Sequence, residues 1–366
     1  MAYIQLEKLV KRFGRQVAVN ELSLEIRDQE FIALLGPSGC GKTTTMNMIS
    51  GLLRPDSGTV RFDGRVMNTV PPGKRGVGFM FQNYAVFTFL NVYDNIAFGL
   101  RIRKMPDNRV ENEVREVARL LQIRHLLSLP AATLSINDMQ RVALARSMVT
   151  RPQIFLLDEP LSNLDAALRN VMRAELKKIQ QELGQTTVYV THDQVEAMSL
   201  ADRIAVMNFA VLQQFDTPHN IYNHPKNLFV ANFIGSPTIN FFDAEYQNGS
   251  FSLSDFQHGN LTLSAGARTR VIERYRGDGM VIGIRPEHLK LEAEKSGSLK
   301  AKVVSYEPLG SKTIVYLHPD ANAGLIIKSS MESDFKPKIG SIMSLSFSES
   351  SLLLFDKKTT DLLVRL

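Results

Sequence analysis

The sequence predicts an α/β domain with a helical insertion, followed by a small all-β domain of OB type. Three observations lead there. Continuous apolar runs at 31–35, 154–157 and 187–190 read as strands buried in a parallel sheet. Helical patterns lie between them, so strands and helices alternate. Beyond about residue 235 the texture changes to short alternating runs at 282–284, 299–304, 313–317 and 342–347, separated by Gly and Asp-Gly turn signals. Gly235-Ser236-Pro237 breaks regular structure at the change, giving domains 1–235 and 236–366.

The first buried strand leads directly into Gly36-Pro37-Ser38-Gly39-Cys40-Gly41-Lys42-Thr43, which fits G-x-x-x-x-G-K-[ST] and is followed by Thr44. Glycines let such a loop bring backbone N–H groups against phosphates. Lys42 is placed for the β- and γ-phosphates of ATP, and Thr43 for Mg²⁺. Met46, Ile49, Leu52 and Leu53 are expected to continue as a helix, completing strand, loop and helix. Cys40 is the chain's one cysteine, so it forms no intrachain disulfide and no cysteine cluster; it reads as a spectator in the loop.

A helical insertion is expected over about 85–150. There Val110, Val114, Val117 and Leu121 recur at helical spacing after Asp107-Asn108, which suits an N-cap. The next strand ends in Asp158 and Glu159. A hard cation wants carboxylate oxygen, which suits Asp158, and Glu159 is placed to orient and deprotonate an attacking water. The third strand leads into Thr191-His192-Asp193, where His192 can contact a γ-phosphate.

Bulk properties fit this reading. No apolar run approaches the roughly 18–20 residues that cross a bilayer, and the first residues lack the apolar core of a signal peptide. A membrane role is therefore expected to come through a partner. The net charge of +6 is scattered along the sequence, which suits a solvated surface beside a triphosphate site better than nucleic-acid binding.

With these motifs in place, the chain resembles the ABC ATPase family, and within it the ATPase subunits of carbohydrate, polyol and glycerol-phosphate importers. Gln82, in Phe81-Gln82-Asn83-Tyr84-Ala85, matches the family's Q-loop, whose glutamine contacts Mg²⁺ and water and senses the permease. Phe13 matches the aromatic that stacks on adenine. Ser162-Asn163-Leu164-Asp165 matches the D-loop, and His192 the switch histidine. The segments 229–237 and 283–288 are similar to the linker and regulatory barrel of sugar-importer ATPases.

The resemblance implies an ATPase on the cytoplasmic face of a bacterial inner membrane. It implies a second cassette, two permease subunits and a solute-binding protein as partners, and a sugar or polyol cargo, with polyamine or iron as alternatives. A soluble ABC protein acting on ribosomes or DNA would share the cassette motifs, but such proteins usually carry two cassettes or a long coiled coil.

One segment departs from the family. Its signature reads L-S-G-G-Q, whereas this chain has Leu134-Ser135-Ile136-Asn137-Asp138. In a family dimer the segment caps the γ-phosphate held by the other subunit. Ile136 adds bulk where glycine lets the backbone approach. Asp138 brings a charge that, at about 5 Å and an effective dielectric near 20, repels each unit of phosphate charge by about 3 kcal/mol. The expectation is an asymmetric heterodimer, with one productive site built on this chain's own loop.

Overall fold

The computed structural model describes residues 3–162, 164–274, 279–295 and 298–366, and the chain divides into two compact units, Met1–Pro218 and His219–Leu366. The first unit begins with β1 (Ile4–Phe13), β2 (Gln16–Ile26), β3 (Phe31–Leu35), α1 (Lys42–Ser50), β4 (Ser57–Phe62), β5 (Arg65–Val66) and β6 (Val77–Met80). The helical insertion follows as α2 (Val92–Ile102), α3 (Asp107–Leu120) and α4 (Ile136–Met148). The unit closes with β7 (Ile154–Asp158), α5 (Ala166–Leu183), β8 (Thr186–Thr191), α6 (Gln194–Leu200), β9 (Arg203–Asn208) and β10 (Val211–Asp216).

Two sheets result. One is antiparallel, in the order β2-β1-β4-β5; the other runs β10-β9-β3-β8-β7-β6 and is parallel except for β10. Every residue of β3, β7 and β8 is buried, which is why these strands read as unbroken apolar or Thr-rich runs. One core draws Leu24 and Val60 from the antiparallel sheet, Leu34, Leu156 and Val188 from the parallel sheet, and Met46 and Ile49 from α1. Burying each such side chain stabilises by about 1.5–3 kcal/mol. Parallel register aligns Leu35 with Thr191 and Asp158 with Val190. The segments that leave β3, β7 and β8 therefore emerge together at one edge, where open α/β sheets place ligands.

Two helix boundaries differ from the expected ones. Helix α1 stops at Ser50, because Gly51 takes a left-handed turn (φ 85°) and its N–H returns to the Asn47 carbonyl. A Cβ at Gly51 would lie 2.4 Å from Arg75 Nε. That buried guanidinium donates to the carbonyls of Met48, Ile49, Met67 and Val70, closing the helix end with backbone bonds. Leu52 consequently faces solvent instead of extending the helix. In α3, Asp107 is the first helical residue rather than the cap, and Pro106 stands at the N-cap without a side-chain bond. Asp107 there favours the positive helix end electrostatically. Val110, Val114, Val117 and Leu121 are buried at the predicted spacing.

The second unit holds α7 (Pro218–Asn223), α8 (Leu228–Phe233), β11 (Asn240–Gln247), β12 (Ser250–Leu253), β13 (Asn260–Thr262), α9 (Ala265–Arg274) and β14 (Met280–Ile284). It continues through β15 (Lys290–Glu292), β16 (Leu299–Pro308), β17 (Lys312–Pro319), β18 (Ile327–Glu332), β19 (Ile342–Ser346), β20 (Leu353–Asp356) and β21 (Leu362–Arg365). Two antiparallel sheets, β13-β12-β11-β14-β20-β21 and β15-β19-β16-β17-β18, share a core that includes Phe251, Ile282, Val303, Leu317 and Leu354. Helix α9 was not anticipated; it packs Ala267 and Val271 inward.

Residues 219–235 group with this second unit. Their bonds explain it. Arg285 donates to the carbonyls of Tyr222, Ala231 and Ile234, while the Leu228 N–H reaches the Thr360 carbonyl and the Leu362 N–H the Lys226 carbonyl.

Candidate active site

Gly36–Thr44 forms the bend from β3 into α1. Gly41 is the N-cap of α1 in a left-handed conformation (φ 103°), and a Cβ there would lie 2.2 Å from the Ala18 carbonyl oxygen. A Cβ at Gly36 would meet the Met207 carbonyl oxygen at the same distance. No side chain caps α1 and its first turn holds no acid, so its N-terminal amides keep their affinity for an anion. Lys42 is buried and donates to the carbonyls of Gly36 (2.8 Å) and Pro37 (2.9 Å). Its ammonium is thus held on the loop, ready to exchange carbonyl oxygens for phosphate oxygens. Cys40 is buried beneath, and that burial pushes its thiol pKa up against the pull of Lys42, which fits a spectator.

The acids converge from β7. Asp158 accepts from Thr43 Oγ1 at 3.2 Å. Burial pushes the Asp158 carboxyl up to about 6; Glu159 adds to the rise, while Thr43 and Lys42 oppose it. Glu159 follows in a left-handed conformation (φ 46°), a strain of about 1–3 kcal/mol of the kind kept where surroundings over-determine it. Each carboxylate oxygen has a separate neighbour: Gln82 Nε2 donates to Oε2 at 3.0 Å, and His192 Nδ1 lies 3.2 Å from Oε1. Hydroxyl and carboxylate oxygens side by side at Thr43 and Asp158 are the hard donors Mg²⁺ takes, usually together with substrate phosphates and waters.

The corner carrying His192 is fixed by groups the sequence reading missed. Buried Glu196 accepts from the hydroxyls of Tyr189 (2.8 Å) and Thr191 (2.7 Å), both on β8. Arg169 of α5 lies 3.9 Å from Glu196, donates to Asp193 at 3.4 Å and to the Leu164 carbonyl at 2.9 Å. One network therefore ties the His192 corner to the segment 164–165. Asp165 precedes α5, accepting the Arg169 N–H at its carbonyl; Asn163 lies outside the described residues.

These pieces surround an open cleft of about 500 Å³ lined by Phe13, Ser38, Gly39, Gly41, Lys42, Thr43, Thr44, Gln82, Glu159 and His192. Gln16 and Ala18 also line it and went unread, since only the fold brings the start of β2 there. Phe13 is 53% exposed at the cleft, with Lys11 Nζ 5.7 Å from its ring centre. Ser135, Ile136, Asn137 and Asp138 do not line this cleft. Ser135 caps α4, accepting from the Asp138 N–H at 3.2 Å and giving its own hydroxyl hydrogen to Asp138 Oδ2 at 2.7 Å. The degenerate segment thus folds as a reciprocal cap, with Ile136 59% exposed.

Such a cleft can bind a nucleoside triphosphate and activate a water beside it. Family models agree: ABC transporter matches residues 19–162, MalK OB fold domain residues 235–289, and TOBE domain residues 282–355. The trehalose/maltose import ATP-binding protein MalK of Thermococcus litoralis is 45% identical over 98% of this chain and 99% of its own length. This chain belongs to the ABC transporter ATP-binding family. It is an ATPase coupled to transport, with the expected cassette and an OB-type second domain. The sn-glycerol-3-phosphate import ATP-binding protein UgpC of Psychromonas ingrahamii is 40% identical over 98% of this chain and 95% of its own. Among solved structures, the dimeric bacterial ABC transporter cassette MJ0796 superposes with a TM-score of 0.55 at 27% identity, covering 59% of this chain and 98% of that one. A post-hydrolysis form of that cassette binds ADP and Pi.

Proposed function

We propose that this ABC ATPase energises import of a small polyhydroxylated solute, a sugar or a polyol such as glycerol or its phosphate, from the cytoplasmic face of a bacterial plasma membrane. The observation that carries it is end-to-end similarity to proteins named for trehalose/maltose and sn-glycerol-3-phosphate import. The MalK-type OB domain supports an importer over a soluble ribosome- or DNA-acting ATPase. Two permease subunits and a solute-binding protein complete the machine.

In this reading Phe13 stacks on adenine and the amides of 39–44 hold the phosphates. Lys42 turns from its loop carbonyls to the β- and γ-phosphates. Mg²⁺, held through Thr43, Asp158 and Gln82, supplies neutralisation of charge on the phosphate oxygens. Glu159 orients a water and takes its proton as the water oxygen attacks phosphorus in line and the bond to ADP breaks. Gln82 and His192 keep the carboxylate aimed.

The cassettes work as a dimer, with this chain beside a different one. Support for asymmetry is local: Ser135 spends its only hydroxyl hydrogen on Asp138, whose charge stands at the helix end that would face a γ-phosphate. The similarities themselves favour no heterodimer over a homodimer. Affinity purification of the tagged chain from detergent-solubilised native membranes, with mass spectrometry, tests the whole reading. Two permeases, a sugar- or polyol-binding protein and a second cassette are expected. Copies of this chain alone with the permeases would remove the asymmetry, and ribosomal proteins or DNA in place of permeases would remove the importer.

A further inference from the structure

The loop from Gln82 to Phe87 is gripped at three points. At one end Gln82 donates to Glu159 at 3.0 Å. At the other, buried Asn95 of α2 accepts from the Phe87 N–H and donates to the Phe87 carbonyl, both at 2.9 Å. Between them reaches Arg146, from the last turn of α4. Its Nη1 donates to the Ala85 carbonyl at 2.6 Å and its Nη2 to the Tyr84 carbonyl at 3.4 Å, with the guanidinium 4.8 Å from the Phe87 ring centre.

The two carbonyls Arg146 takes belong to two consecutive left-handed residues, Tyr84 (φ 62°) and Ala85 (φ 47°). Residues with a Cβ keep that conformation only when something holds it. Among the described residues, no carboxylate lies within ion-pair distance of Arg146, so its bonds to protein run to the loop backbone. Ser135 caps the same helix at its other end, about 16 Å away along the axis.

We infer that Arg146 is a positioning residue that carries the placement of helix α4 into the loop that sets Gln82 against Glu159. The helix is a rigid rod with the signature segment at one end and the guanidinium fork at the other. Shifting the rod releases the Tyr84–Ala85 pair toward ordinary backbone angles, which redirects the loop and withdraws Gln82. A lysine keeps the charge but not the two-pronged fork. The inference rests on the roles proposed above for Gln82 and Glu159.

The test uses the assembled transporter with Arg146→Lys. Affinity for a fluorescent ATP analogue with Mg²⁺ should stay within about threefold, while kcat falls about tenfold or more at an unchanged KM. Adding Ala85→Gly should restore most of kcat, since glycine holds a positive φ without strain. Hydrogen exchange should quicken at residues 84–87 and not along β7 or α1. Unchanged kcat in Arg146→Lys overturns the inference. So does a loss that Ala85→Gly leaves in place, or failure to assemble, or faster exchange throughout, each of which makes Arg146 a support of the fold. Normal turnover in Glu159→Gln, run in parallel, would instead sink the site assignment.

Discussion

Gly41 shows how tightly single positions are set. It needs both a left-handed φ and the absence of a Cβ, because the Ala18 carbonyl occupies the place a methyl would take. Gly41→Ala should displace the loop from the Ala18 carbonyl and weaken ATP binding by about tenfold or more, read by titration with a fluorescent nucleotide, with a loss of stability in urea unfolding beside it. Glu196 is set differently, by what would be stranded without it. Glu196→Ala leaves two buried hydroxyls without an acceptor and should cost about 2–4 kcal/mol in urea unfolding. Glu196→Gln, which keeps an acceptor oxygen, should cost less.

At the scale of the element, α4 carries the unusual chemistry. Its cap is self-contained, with Ser135 and Asp138 answering each other's needs. Ser135→Ala should therefore cost about 1 kcal/mol of stability, measured by denaturant unfolding. In the assembled transporter Asp138→Gly frees the helix end. Vanadate-trapped ADP should then rise from one per cassette dimer toward two; a wild-type dimer that already traps two would end the case for an idle site.

Over the whole molecule, what the sequence disclosed divides by range. Strands β3, β7 and β8 were legible because burial on both faces leaves a strand with an apolar run at its centre. The loop 36–43 was legible because phosphate binding concentrates its requirements in eight neighbouring residues. Distant partners were not. The end of α1 depends on Arg75 approaching Gly51, and the position of Gln16 and Ala18 depends on sheet packing. The grip of Arg146 on Ala85 joins residues far apart in sequence. Helix α9 was hidden by a polar surface that leaves only Ala267 and Val271 as its buried stripe.

The segment 219–235 carries a prediction of its own. Residues 219–366 expressed alone should unfold cooperatively on heating. Starting at 236 instead strips buried Arg285 of three backbone acceptors and should destabilise the unit by about 3 kcal/mol or more.

Glu159 is proposed to drive ATP hydrolysis in this cleft and so to power transport. ATP binding and steady-state turnover of Glu159→Gln in the reconstituted transporter test it most directly. Nucleotide affinity should stay within about threefold of the unaltered protein and turnover should fall by at least about 100-fold, with solute uptake lost in parallel. Turnover near the unaltered rate would contradict it, and would move the catalytic base out of this cleft.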